Sequence, residues 1–129
     1  METAARILIV DDEAQLLKMM SVYLQRLGYS VTASASTEQA CRLVEAEPDG
    51  FAVAVLDASM EGLSMETLAM RILHANGGVR VVATSGYPVD MSPLEAAAPG
   101  RVTFLHKPFA PEMLAATLRR MLAPEKEEI

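Results

Sequence analysis

With 129 residues, 51% of them hydrophobic and 22% charged, the chain is long enough to bury a core and too apolar to stay disordered. Its 17 acidic and 11 basic residues leave a net charge of −6, which argues against direct nucleic-acid binding, because neutralising phosphates takes clustered Lys and Arg. Cys41 is the single cysteine, so a disulfide framework or a cysteine-rich metal site within one chain is excluded and a reducing cytoplasm is the expected setting. No apolar run is long enough for membrane insertion.

The first predicted strand is RILIV, residues 6–10. Its apolar run meets Asp11, Asp12 and Glu13 without a small-residue cleavage site, so it reads as a strand and not as a signal peptide. A helix follows over 13–27, with Leu16, Leu17, Met20, Leu24 and Leu27 at spacings of three and four and Gly28 at the C-terminal cap position. SVTAS, residues 30–34, gives the second strand, and Ser36 or Thr37 caps a helix over 37–47. FAVAVL, residues 51–56, is the third strand, and it runs directly into a lone acid, Asp57.

A helix over 64–75 carries Leu68, Ile72 and Leu73 inward. VRVVAT, residues 79–84, is the fourth strand, followed by Ser85 and a short helix from Ser92 that Pro99 and Gly100 stop. RVTFL, residues 101–105, is the fifth strand and precedes Lys107; the last helix runs from Pro111 to Leu122. Five strands alternating with five helices, most strands continuously apolar, predict an α/β fold with a doubly wound parallel sheet and right-handed crossovers.

In such a sheet, functional groups collect beyond the carboxyl ends of the strands, where the strand order reverses. Asp11, Asp12, Asp57, Ser85 and Lys107 all stand at such ends. Clustered carboxylates repel one another unless a cation sits among them, and oxygen-only ligands favour a hard ion such as Mg²⁺. One carboxylate could then act as a nucleophile toward a phosphoryl group, with a lysine and a hydroxyl binding its oxygens. Each residue alone is an ordinary cap, turn or solvated charge; the set, each member directly after an apolar run, is not.

These motifs, ILIVDDE, VAVLDASM, VVATSGY and FLHKPF, strongly resemble the receiver domain of two-component response regulators across nearly the whole chain, roughly residues 5–122. The resemblance implies a flavodoxin-like strand order 2-1-3-4-5 and a single receiver domain over 1–122; the acidic tail over 123–129 is expected to fray, as chain termini do. It implies Asp57 as phosphoacceptor, Asp12 as a direct Mg²⁺ ligand, Asp11 acting mainly through a metal-bound water, and the backbone carbonyl of Ser59 completing the protein's ligands. Lys107 would pair with the phosphoryl group, or with Asp57 in its absence, and Ser85 would donate its hydroxyl. The backbone N–H groups of Ala58 and Gly86 would assist, Phe104 would be the switch aromatic, and a Lys107–Pro108 cis bond is expected.

The implied activity is self-phosphorylation and self-dephosphorylation of a Mg²⁺-dependent phosphoacceptor, not turnover catalysis. The phosphoryl group would come from a histidine kinase or a histidine phosphotransfer protein. The output would be a changed surface of the fourth helix, fifth strand and fifth helix, read by a downstream protein target or a fused kinase or output domain. TSGYP resembles receivers joined to hybrid kinases.

Some positions depart from the family pattern. Glu61 replaces the usual Pro after Met60, and Met65 stands near the usual Gly, so a looser or differently shaped loop is expected there. Ser59 and Tyr87 occupy positions that tune water access. Two other classes remain open: a Mg²⁺-dependent phosphatase, which would want a second acid where Ser59 stands, and a receiver-like binding module that is never phosphorylated. His74 and His106 lack a ligand set and read as structural.

Overall fold

A computed structural model describes residues 4–123; the predicted tail beyond Ala123 lies outside the described residues. The elements are β1 Arg6–Val10, α1 Ala14–Arg26, β2 Ser30–Ser34, α2 Thr37–Ala46, β3 Val53–Asp57, α3 Met65–Ala75, β4 Arg80–Ser85, α4 Ser92–Ala97, β5 Val102–His106 and α5 Pro111–Leu122. All strand pairs are parallel, in the order β2-β1-β3-β4-β5. The α/β fold and the strand order are those expected.

Successive side chains of a strand point to opposite faces, and the sheet uses both. Leu8, Val10, Ala54, Leu56, Val81 and Ala83 face α2, α3 and α4, where Ala40, Val44, Leu68, Ile72 and Leu94 meet them. Ile7, Ile9, Val53, Val55 and Val82 face α1 and α5, against Met20, Leu24, Leu114 and Leu118. This two-sided burial is why β1, β3 and β4 are apolar without alternation, whereas β2 at the edge is only half-buried.

The caps follow local chemistry. Ser36 and Ser64 accept hydrogen bonds from Gln39 and Thr67 and start α2 and α3. Gly28, at φ +101°, closes α1 with Gly28 N donating to Gln25 O and Tyr29 N to Leu24 O. The last three strands each start and end one or two residues later than expected. Arg80 and Val102 begin their ladders only after turns that bond Val79 N to Asn76 O and Arg101 N to Ala98 O. Asp57 and Ser85 thereby become the final residues of β3 and β4.

The loop after Asp57, expected to be looser or differently shaped, is tied down. Leu63 N donates to Thr37 Oγ1 at 3.1 Å, fixing the loop to the start of α2. The reversal falls on Gly62, at φ +94°, where a Cβ would lie 2.6 Å from Glu38 Oε2 and 2.9 Å from Thr37 Oγ1. Met65 begins α3 and is buried.

Candidate functional site

The strand order reverses between β1 and β3, so their carboxyl ends open a crevice at the edge of the sheet. Asp11 and Asp12 leave β1 there and Asp57 ends β3 beside them. Carboxylate oxygens of the three lie within 4.8 Å of one another, the one such group of potential metal ligands among the described residues. Asp11 and Asp57 are 1% and 3% exposed, so two anions are nearly withdrawn from water, while Asp12 faces solvent.

Lys107 is what neutralises them. Its Nζ lies 3.0 Å from Asp11 Oδ2, 3.4 Å from Asp57 Oδ2 and 2.8 Å from Glu13 Oε1. It is placed there by β5, whose last residue, His106, stands in register with Ser85, and by the Lys107 N to Ser85 O bond of 2.8 Å. The Lys107–Pro108 bond is cis, as expected. Burial disfavours the ammonium's charge, but hydrogen bonds to Glu13 and Asp11 and the charges of Asp11 and Asp57 outweigh it, raising the Lys107 pKa. Asp11 is raised as well: burial dominates, reinforced by Asp57, over the opposing N–H of Glu13 and the ammonium.

Hydrogen bonds fix the remaining orientations. Asp57 Oδ1 accepts from the Ser59 N–H at 3.1 Å and the Ser59 hydroxyl at 2.9 Å, which leaves Oδ2 toward Lys107. Asp11 Oδ1 accepts from Glu13 N at 2.8 Å and so helps start α1. Ser85 is buried, and its Oγ accepts from Tyr87 N at 3.0 Å. Gly86 and Tyr87 line an open cleft of about 550 Å³ beside Lys107, with Glu13, Leu16, Pro108 and Phe109 on its other walls. Ala58 differs from expectation in its present partner: its N–H donates to Thr84 O at 2.8 Å and is not free in the crevice.

Phe104 is half-buried on β5, packed against the α2, α3 and α4 side, its ring edge-on to His106 at 6.2 Å. Glu13 is the site residue that sequence reasoning missed; its place beside the two aspartates at the start of α1 was the available signal. The oxygen donor set suits a hard divalent cation, and three of the residues expected to hold Mg²⁺, Asp11, Asp12 and Asp57, are brought together. Among the described residues no helix is long and apolar enough to cross a membrane.

Comparison with known proteins agrees with this geometry. The DNA-binding response regulator MtrA of Mycolicibacterium paratuberculosis is 28% identical over 124 residues, 95% of this chain and 53% of that protein. The chain therefore spans about half the length of the curated relatives it matches. Among solved structures, chemotaxis protein CheY4 of Vibrio cholerae superposes with a TM-score of 0.80 at 26% identity, covering 93% of this chain and all of that one. The receiver domain of the hybrid histidine kinase CckA gives 0.78 at 28% identity, covering 92% and 99%. The model of the response regulator receiver domain matches residues 7–119, and the chain belongs to that family.

Proposed function

We propose that residues 1–122 form a single cytoplasmic receiver domain that takes a phosphoryl group onto Asp57 from the phosphohistidine of a histidine kinase or histidine phosphotransfer protein. The observation that carries this reading is the placement of Asp57, nearly buried at the end of β3, with two further carboxylates within 4.8 Å and a lysine at 3.4 Å. Asp11, Asp12, Asp57 and the Ser59 carbonyl would hold Mg²⁺, which supplies charge neutralisation for an anion attacking an anion.

In the transfer, Asp57 Oδ2 forms the new O–P bond as the donor's N–P bond breaks, and the electron pair leaves with the imidazole nitrogen. Ser59 holds Oδ1 through two hydrogen bonds and so keeps Oδ2 turned to the cleft. Lys107 exchanges Glu13 and Asp11 for the phosphoryl oxygens. The Ser85 hydroxyl accepts from Tyr87 and retains its own proton to donate. The Gly86 N–H joins it, and the Ala58 N–H does so by giving up or sharing its bond to Thr84.

Phosphorylation adds nearly two negative charges and three strong acceptors. Drawing Ser85 and Lys107 toward them pulls on the carboxyl ends of β4 and β5, and Phe104 turns with them. The surface of α4, β5 and α5 changes, and a downstream protein or a fused kinase or output domain reads that change. The intact mass after incubation with Mg²⁺ and acetyl phosphate tests the reading. A gain of one phosphoryl group, lost without metal and in Asp57→Asn, is expected; a gain that persists in Asp57→Asn overturns it.

A further inference from the structure

Three arginines gather at the amino ends of β4 and β5, the end of the sheet opposite the carboxylate cluster, in a protein of net negative charge. Arg80 begins β4, Arg101 precedes β5 and Arg120 lies in the last turn of α5; together they line an open cleft of about 400 Å³, with Pro99, Gly100 and Met121 among its other walls. Arg80 Nε donates to Met121 O at 2.8 Å, and Arg101 donates from Nε to Val79 O at 3.0 Å and from Nη2 to Asn76 O at 2.6 Å. These bonds hold two half-buried guanidinium groups in place and satisfy carbonyls at and just beyond the ends of α5 and α3.

Carbonyl capping leaves most of the donors unspent. Among the described residues, Arg80 has no partner for Nη1 or Nη2, Arg101 has none for Nη1, and Arg120 makes no side-chain hydrogen bond. None of the three forms an ion pair with a described residue, and none of the described residues lining the cleft is acidic. Glu95 approaches the rim, where its Oε1 accepts from the Gly100 N–H at 2.8 Å, and pairs with none of the arginines. Burial, and then the charge of Arg80, lower the pKa of Arg101, so these two cations stand close enough to repel each other. The carboxyl ends of α3 and α5 offset roughly half a charge each, which leaves three guanidinium ions with an excess of about two positive charges.

We propose that this cleft binds a phosphoryl dianion, as inorganic phosphate or as the terminal group of a small phosphate monoester, on the free N–H groups of Arg80, Arg101 and Arg120. A phosphoryl group carries about 1.5–2 negative charges near neutrality and three strong acceptor oxygens, and guanidinium forks bind such oxygens in pairs. A lone carboxylate would leave about half of the excess charge uncompensated. The cleft falls within the roughly 300–1,000 Å³ of small-molecule sites, and Pro99 and Met121 give an apolar wall for the organic part of an ester. Binding here needs nothing from Asp57, which ends β3 at the other side of the sheet.

The test uses the full chain, ¹⁵N-labelled and free of divalent cations, as wild type, Arg120→Gln and Asp57→Asn. Arg120 is exposed, so its replacement leaves the core untouched. Inorganic phosphate and adenosine monophosphate are titrated separately at low salt, with sodium chloride of matched ionic strength as the control. Both anions are expected to shift the Nε–H resonances of Arg80 and Arg101 saturably, equally in wild type and Asp57→Asn, and with about tenfold weaker binding in Arg120→Gln. Tighter binding of the monophosphate ester than of phosphate assigns the cleft to esters; equal or weaker binding assigns it to the free ion. Resonances that stay fixed, that move as far with chloride, that titrate identically in Arg120→Gln, or whose shift is lost in Asp57→Asn overturn the proposal.

Discussion

Lys107 donates to Glu13 at 2.8 Å, a closer approach than its 3.4 Å to Asp57. The lysine proposed to bind the phosphoryl group on Asp57 is thus held partly by a carboxylate on the rim, which would have to release it for that role. Glu13 is mostly exposed, so the pair is worth at most about 1 kcal/mol. Glu13→Gln is expected to speed phosphorylation of Asp57 by acetyl phosphate about two- to fivefold at low salt. An unchanged or slower rate would show that the rim carboxylate does not restrain the lysine.

Removing the lysine itself leaves Asp11 and Asp57 buried beside each other without a cation. Lys107→Ala is expected to destabilise the metal-free chain by about 2 kcal/mol and to slow phosphoryl uptake, while Mg²⁺ binding survives and offsets much of the lost stability. Urea unfolding with and without Mg²⁺ measures both. Loss of metal affinity would mean that Lys107 organises the ligands instead of standing in for their cation.

The raised pKa of Asp11 gives a pH dependence with a definite sign. Folded Asp11 binds its proton more tightly than unfolded Asp11 does, at the ordinary 3.8. As the pH rises from that value through the raised one, this residue therefore removes stability from the metal-free chain, and above it the cost is constant. Mg²⁺ competes with the same proton. The rise in thermal midpoint on adding Mg²⁺ should be largest near neutrality and shrink as the pH falls through the carboxylate range. The Lys107 contribution is lost only above its ordinary 10.5, as the pH rises through a still higher folded value.

The loop after the acceptor offers a separate test. Gly62→Ala places a Cβ against Glu38 and Thr37 at a positive φ, and should cost about 2 kcal/mol of stability. Thr37→Val removes the acceptor for the Leu63 N–H and should cost about 1 kcal/mol. If the pinned loop orients Ser59 against Asp57, both variants also phosphorylate more slowly than their stability loss explains. Rates unchanged at full folding would confine the tether to stability.

Much of this was legible in the sequence because it rests on local rules. Continuous apolar runs announced β1, β3 and β4, and the Ser36–Thr37 pair and Gly28 announced helix ends, whereas the Ser64 cap came only with the structure. The late starts of β4 and β5 were not legible, because the preceding turns borrow backbone carbonyls from residues whose own strand or helix state was still open. Glu13 was overlooked for a different reason. Its partner, Lys107, is brought to it only by the order of the sheet, which periodicity cannot supply. The Ala58 N–H likewise depends on the β3–β4 register.

The strand order also dictates when the acid cluster can exist. Because every ladder is parallel, each pairing waits for a helical crossover to be made, and no hairpin offers a fast local start. β1 can find β2 early as the chain emerges from the ribosome, yet its other edge stays open until β3 has been synthesised. Asp11 and Asp57 therefore meet only after more than a third of the chain has been made. Their repulsion opposes the zipping of β1 onto β3 at its last rung, so a divalent cation present during synthesis would speed that closure as well as occupy the finished site.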